Sequence, residues 1–167
     1  RCNSVLLIRD ISKSFGGIKV IDSFSMKVDP DQIVGIIGPN GAGKTTLFNI
    51  ITGYLSPDRG QVIINDQDIT KKKPEKINKF GISRTFQLVK PFANMSVLEN
   101  VMIGAFSHTS KTDEARNIAL EYIELVGLQD KTMDKAGKLS LPERKQIELA
   151  RALATEPRYL FLDEVFS

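Results

Sequence analysis

The chain is poor in cysteine, in histidine and in long apolar runs, and each shortage closes off a class of explanation. Its 167 residues hold one cysteine, Cys2, so a disulfide framework is excluded and a reducing compartment is expected. The longest apolar stretches, such as Val5–Ile8 and Ile33–Ile37, fall far short of the ~20 residues that cross a bilayer. The opening Arg-Cys-Asn-Ser has neither an initiating Met nor the apolar core of a signal peptide, which points to a trimmed N-terminus and no secretory leader. Charge of one sign is also scarce: 23 basic and 20 acidic residues leave a formal +3. The one dense run, Lys71-Lys72-Lys73 with Lys76 and Lys79, has no interleaved aromatics. It reads as a solvated loop and helix face, and no nucleic-acid partner is expected. What remains, 41% hydrophobic and 26% charged residues, is the make-up of one soluble domain with a real core.

Hydrophobic spacing supplies the organisation. Val5–Ile11 and Lys19–Val28 alternate as strands do, and Gln32–Ile37 is a continuous apolar run of the kind buried on both faces of a sheet. A helix is predicted over Thr45–Gly53, with Leu47, Ile50 and Ile51 on one side, then a turn at Pro57–Gly60 and a strand at Gln61–Asn65. Gly81–Phe86 reads as a short strand, after which the chain becomes helical. From Asp113 to Val126 the residues Ala115, Ile118, Ala119, Tyr122, Ile123 and Val126 form one amphipathic stripe. A further helix is predicted from Leu141 to Thr155, and then a buried strand, Tyr159–Leu162, ending in Asp163-Glu164. The expected fold is α/β: a P-loop core sheet, antiparallel strands at the N-terminus and an inserted helical subdomain. Residues 1–87 and 156–167 are assigned to the core and 88–155 to the subdomain.

The chemistry concentrates between Gly38 and Thr46. Gly38-x-x-x-x-Gly43-Lys44-Thr45 is the full Walker A pattern, and it lies between an expected strand and an expected helix. Its glycines let the loop through Asn40, Gly41, Ala42 and Gly43 curl so that N–H groups face phosphate oxygens, and the helix N-terminus adds partial positive charge. Lys44 is expected on the β- and γ-phosphates, the Thr45 hydroxyl on Mg²⁺, and Thr46 at the α-phosphate. The competing account, a Gly-rich turn that happens to fit, is disfavoured because both flanks are right. Four apolar residues followed by Asp163-Glu164 form a Walker B, a weak motif alone. After a P-loop it assigns Asp163 to Mg²⁺, through water, and Glu164 to the general base that polarises the attacking water.

Walker A, then Gln87 after a strand, then a helix start at Ser140 with Ala150-Arg151-Ala152-Leu153, then Walker B: in this order the motifs resemble the ATP-binding cassette ATPases, the motor subunits of ABC transporters, over nearly the whole chain. The resemblance implies ATP and Mg²⁺ as ligands. It places the Q-loop glutamine, which contacts Mg²⁺ and the attacking water, on Gln87. It places the adenine-stacking aromatic on Phe15, a residue that equally suits a core position. Arg84-Thr-Phe-Gln87 and Met95-Ser-Val-Leu-Glu-Asn-Val are most similar to the ATPases of branched-chain amino acid importers, and ATPases of lipopolysaccharide export and urea import share much of this pattern. The implied partners are a second ABC ATPase subunit, identical or related, and integral membrane permease subunits. The implied place is the cytoplasmic face of the membrane, held peripherally. Leu88, Phe92, Met95, Val97 and Leu98 either line a groove for the permease or pack the helical subdomain.

One stretch departs from the family. Where the signature loop reads Leu-Ser-Gly-Gly-Gln and binds ATP held by the opposite subunit, this chain has Leu139-Ser140-Leu141-Pro142-Glu143. Pro142 removes an N–H donor and Glu143 adds negative charge, so a weakened trans site is expected. The same residues make a good helix start, with Ser140 and Glu143 as a capping box and Pro142 in the first turn, so a plain capped helix is the competing account. The family's later parts, a D-loop, further strands and a histidine switch, would follow Glu164. The chain therefore reads as the N-terminal two-thirds of a cassette, with apolar edges left exposed near Tyr159–Leu162. The single histidine, His108, precedes Walker B and reads as a surface residue. Three functions stay open at this point: an ATPase driving amino acid import, a soluble ABC ATPase without a membrane partner, and a nucleotide-binding fragment without turnover.

Overall fold

In the computed structural model, which describes residues 5–85 and 91–163, the N-terminal alternation becomes a pair of antiparallel strands, β1 (Leu6–Phe15) and β2 (Ile18–Val28). Leu6, Ile8 and Ile11 of β1 are fully buried. The inward face skips from even to odd numbers because the register shifts between Ile8 and Ile11, around Asp10 at φ 49°. Such an irregularity inserts one residue and re-aims the side chains after it. β3 (Arg59–Ile64) joins the other edge of β1 and β4 (Gln67–Asp68) follows, giving the order β2-β1-β3-β4. Helix α1 (Lys44–Ile51) buries Leu47, Ile50 and Ile51, the three residues its spacing marks. A short helix α2 (Pro74–Asn78) begins inside the lysine run, with Pro74 in its first turn. These elements belong to a unit spanning 1–80, and the rest of the chain, 81–167, forms a second.

Gln32–Ile37 corrects the sequence reading. No strand forms there, and Ile33 and Ile37 are fully exposed instead of buried on two faces. An apolar run becomes a central strand only when neighbouring strands take up its N–H and C=O groups and layers cover both faces. Among the described residues no strand pairs with it.

The second unit has a parallel pair, β5 (Ile82–Arg84) and β6 (Tyr159–Phe161), with Ile82 opposite Tyr159 and Arg84 opposite Phe161. Three helices accompany it: α3 (Val97–Ala105), α4 (Thr112–Leu125) and α5 (Leu141–Leu153). Ala115, Ala119 and Ile123 of α4 meet Val97, Val101, Ile147 and Ala150 in one core, while Ile118, Tyr122 and Val126 pack on its margin. Of the residues considered for a permease groove, Val97 and Leu98 are buried in this core, Met95 is half-buried and Phe92 is exposed; Leu88 lies outside the described residues.

Polar contacts set the ends of these helices. Ser96 caps α3 in a box with Glu99, whose Oε2 accepts the Ser96 N–H at 2.7 Å. Asn100, completely buried, accepts the Phe92 N–H at 2.8 Å and donates to the carbonyls of Phe92 and Ser96 at 3.1 and 2.8 Å. It thereby fastens the segment entering α3. At the far end of α5, the hydroxyls of Thr155 and Ser83 are 2.7 Å apart, tying the helix terminus to β5. His108 is exposed, as expected, but its ring also donates from Nε2 to the Thr155 carbonyl.

Candidate functional site

The first cluster is the loop before α1. Ala42 N–H donates to the Pro39 carbonyl at 3.2 Å, which tightens the loop, and Gly43 ends it as the helix N-cap in the left-handed region at φ 84°. A side chain at Gly43 would be strained there and its Cβ would lie 2.9 Å from the Val20 carbonyl oxygen, so the loop sits directly on β2. The first intrahelical bond runs from Leu47 N–H to Gly43 O at 2.8 Å. The amides of Lys44, Thr45 and Thr46 precede it and have no carbonyl one turn back to bond.

No side chain caps α1, and its first turn holds no acidic residue. That sets it apart from α3 and α5, whose first turns each carry a Ser–Glu capping box. Lys44 folds back over the loop, its Nζ donating to Gly38 O at 2.6 Å and Pro39 O at 2.8 Å. A ring of backbone donors with an ammonium beside it is an anion-binding arrangement. Phe15, at the end of β1, is 47% exposed, and the Lys13 ammonium stands 5.5 Å from its ring centroid. Phe15 is thus no core residue, and the Lys13 ammonium stands over its ring.

The second cluster is at the end of the parallel pair. Asp163 follows β6, is buried, and accepts from Arg84 Nη2 at 2.7 Å. The Thr85 N–H extends the ladder to Phe161 O at 3.0 Å, and the Asp163 N–H reaches Thr85 Oγ1 at 3.4 Å. Gln87 and Glu164, the expected catalytic pair, lie outside the described residues. Each unit, taken by itself, holds a hard oxygen donor of the kind Mg²⁺ takes: the Thr45 hydroxyl in the first and the Asp163 carboxylate in the second. Among the described residues no group of three or more His, Cys, Asp or Glu stands ready to hold a metal alone. Sequence reasoning missed Arg84 as a partner of Asp163.

The third cluster is the start of α5. Leu139 is buried, Ser140 is the N-cap, and Leu141 and Pro142 are exposed in the first turn. Glu143 closes the expected capping box: its Oε2 accepts from Ser140 N–H at 2.8 Å and Ser140 Oγ at 2.7 Å. Its other oxygen pairs with Lys131, an ion pair the sequence did not reveal. The Glu143 charge is therefore matched within the chain by the Lys131 ammonium. The Lys131 ammonium, then Ser140, hold the Glu143 carboxyl down at about 2 from the usual 4.5.

A carboxyl depressed by folding stabilises the protein above its unfolded value, and the benefit is lost as pH falls through the folded value. The window here runs from 4.5 down to about 2. The thermal midpoint of Glu143→Gln is expected to fall less across this window than that of the parent chain. Parallel midpoint curves would show that the carboxylate is not held in this way.

Known proteins bear on these clusters. Residues 21–167 match the family described as ABC transporter. A probable branched-chain amino acid transport ATP-binding protein, LivG of Methanocaldococcus jannaschii, is 38% identical across 96% of this chain and 67% of its own length. The high-affinity branched-chain amino acid transport ATP-binding protein LivG of Escherichia coli is 34% identical across 96% of this chain and 69% of its own. Among solved structures, a nucleotide-free ATP-binding cassette from an ABC transporter superposes with a TM-score of 0.86 at 37% identity, covering 98% of this chain and 70% of that one. The ADP conformation of such a cassette superposes at 0.85 with 36% identity, covering 98% and 70%.

Proposed function

The chain belongs to the ABC transporter family, as an ATPase subunit most similar to those of branched-chain amino acid transporters, and on that premise we propose that it binds and hydrolyses Mg-ATP to drive import of branched-chain amino acids. The observation that carries this reading is the start of α1, a helix N-terminus with no side-chain cap and with the Lys44 ammonium held over the loop that precedes it. Lys44 exchanges the carbonyls of Gly38 and Pro39 for β- and γ-phosphate oxygens, while the amides from Gly41 to Thr46 and the side chain of Asn40 surround the phosphates. Phe15 stacks on the adenine. Thr45, Gln87 and Asp163 hold Mg²⁺, which when bound neutralises charge developing on the phosphate oxygens. Glu164 takes the proton of the attacking water, and Gln87 holds that water in place.

In this reading residues 1–87 and 156–167 act as the nucleotide core and 88–155 as the helical subdomain. Two ATPase subunits close around ATP, with Ser140 to Glu143 facing the nucleotide of the other subunit as a weakened signature. Membrane permease subunits receive the motion. No helix among the described residues is long and apolar enough to cross a membrane. In this reading the chain works peripherally on the cytoplasmic face, a place supported by its likeness to transporter ATP-binding subunits. Phosphate release by the chain alone and with a related ATPase and permease subunits reconstituted in vesicles is the test. Release is expected to rise on assembly and to depend on Glu164. Release that is unchanged by the partners would remove the transport reading while leaving nucleotide binding intact.

A further inference from the structure

The described part of the second unit has a buried ion pair that the motifs do not explain. Arg84 Nη2 and Asp163 Oδ2 are 2.7 Å apart, and their side chains are 4% and 9% exposed. Charges so far from water are costly unless matched, so each of these two residues conditions the other. The backbone makes the match specific. Arg84 ends β5 and lies opposite Phe161, the last residue of β6. Thr85 then continues the ladder to Phe161, and the Asp163 amide turns back to the Thr85 hydroxyl. The guanidinium reaches along this edge and donates to one carboxylate oxygen, Oδ2. In the sequence, Arg84 stands three residues before Gln87, and Asp163 stands immediately before Glu164. The pair thus clasps the ends of β5 and β6, close in sequence to both expected catalytic residues.

We propose that Arg84 is a positioning residue for metal-nucleotide binding: it orients the Asp163 carboxylate through Oδ2 and holds the ends of β5 and β6 together. The proposal rests on the reading of Asp163 as the Mg²⁺ carboxylate. A group that orients a metal-binding carboxylate through a hydrogen bond changes metal affinity without touching the metal.

The test uses the full chain loaded with ADP, with Mn²⁺ as the metal probe, its affinity measured by electron paramagnetic resonance. Nucleotide affinity without metal and unfolding in urea are measured beside it. Arg84→Met is expected to weaken Mn²⁺ binding by about tenfold or more, while metal-free ADP affinity stays within about twofold of the parent. Arg84→Lys, which keeps the charge but loses the planar fork, is expected to recover part of the metal affinity. Adding Asp163→Asn to Arg84→Met is expected to raise urea resistance above that of Arg84→Met alone, because the unmatched buried carboxylate is gone. Arg84→Met that unfolds more easily yet binds Mn²⁺ like the parent would reduce Arg84 to a structural residue and overturn the proposal. Should Arg84→Met fail to fold, the same comparison is read from Arg84→Lys. Asp163→Asn with unchanged Mn²⁺ affinity would instead overturn the assignment of Asp163 itself, and with it the role of Arg84.

Discussion

Lys44→Ala is expected to weaken Mg-ATP binding by about 3 kcal/mol, on the order of 100-fold, in isothermal titration calorimetry. The lysine ammonium already makes two short hydrogen bonds to the carbonyls of Gly38 and Pro39, so its tip is held at the loop rather than roaming in solvent. Binding exchanges two neutral acceptors for charged phosphate oxygens. A phosphate oxygen carries charge and a carbonyl does not, so the ammonium gains Coulomb attraction in the exchange although no bond is gained in number. The backbone amides at the start of α1 survive the substitution, and weak residual binding is expected rather than none. An alanine variant with parental affinity would mean that the loop does not bind phosphate and that the assignments from Asn40 to Thr46 fail together.

The second large effect concerns folding. Gly104→Ala is expected to destabilise the second unit by about 3 kcal/mol, read as a lower urea midpoint. Gly104 is buried on α3 where that helix crosses α5. A Cβ added there would collide with the Arg151 carbonyl oxygen and lie 3.2 Å from the Ala154 Cβ. The obstacle is backbone, which cannot rotate aside as a flexible side chain can. Alanine would gain up to about 1 kcal/mol of helix propensity over glycine, which is too little to offset helices forced apart. Parental stability would show that α3 and α5 do not approach so closely.

What the sequence disclosed was local. The strands of the first unit, the stripe on α4 and the capping box of Ser140 and Glu143 each depend on residues within a few positions of one another. The box of Ser96 and Glu99 carries the same spacing signal, and it could have been found in the same way. Gln32–Ile37 failed because burial on two faces depends on neighbours elsewhere in the chain, which composition does not reveal. The contacts that shape the candidate site beyond its motifs are long-range as well. Arg84 meets Asp163 across 79 residues, and Ser83 meets Thr155 across 72. Phe15 was undecided in sequence for a related reason: a strand-end aromatic turns inward or outward according to packing that forms only on folding.

The bond from His108 to the Thr155 carbonyl gives the protein a built-in label. One imidazole in the whole sequence means one set of ring signals in a proton NMR spectrum, free of overlap from any other histidine. Its Nε2 sits at the junction where the end of α5 is tied to β5 through Thr155 and Ser83. Any displacement of that helix must stretch or break the contact and move the ring lines. Rearrangement of α5 is thus observable in the unmodified chain, without an introduced fluorophore or spin label.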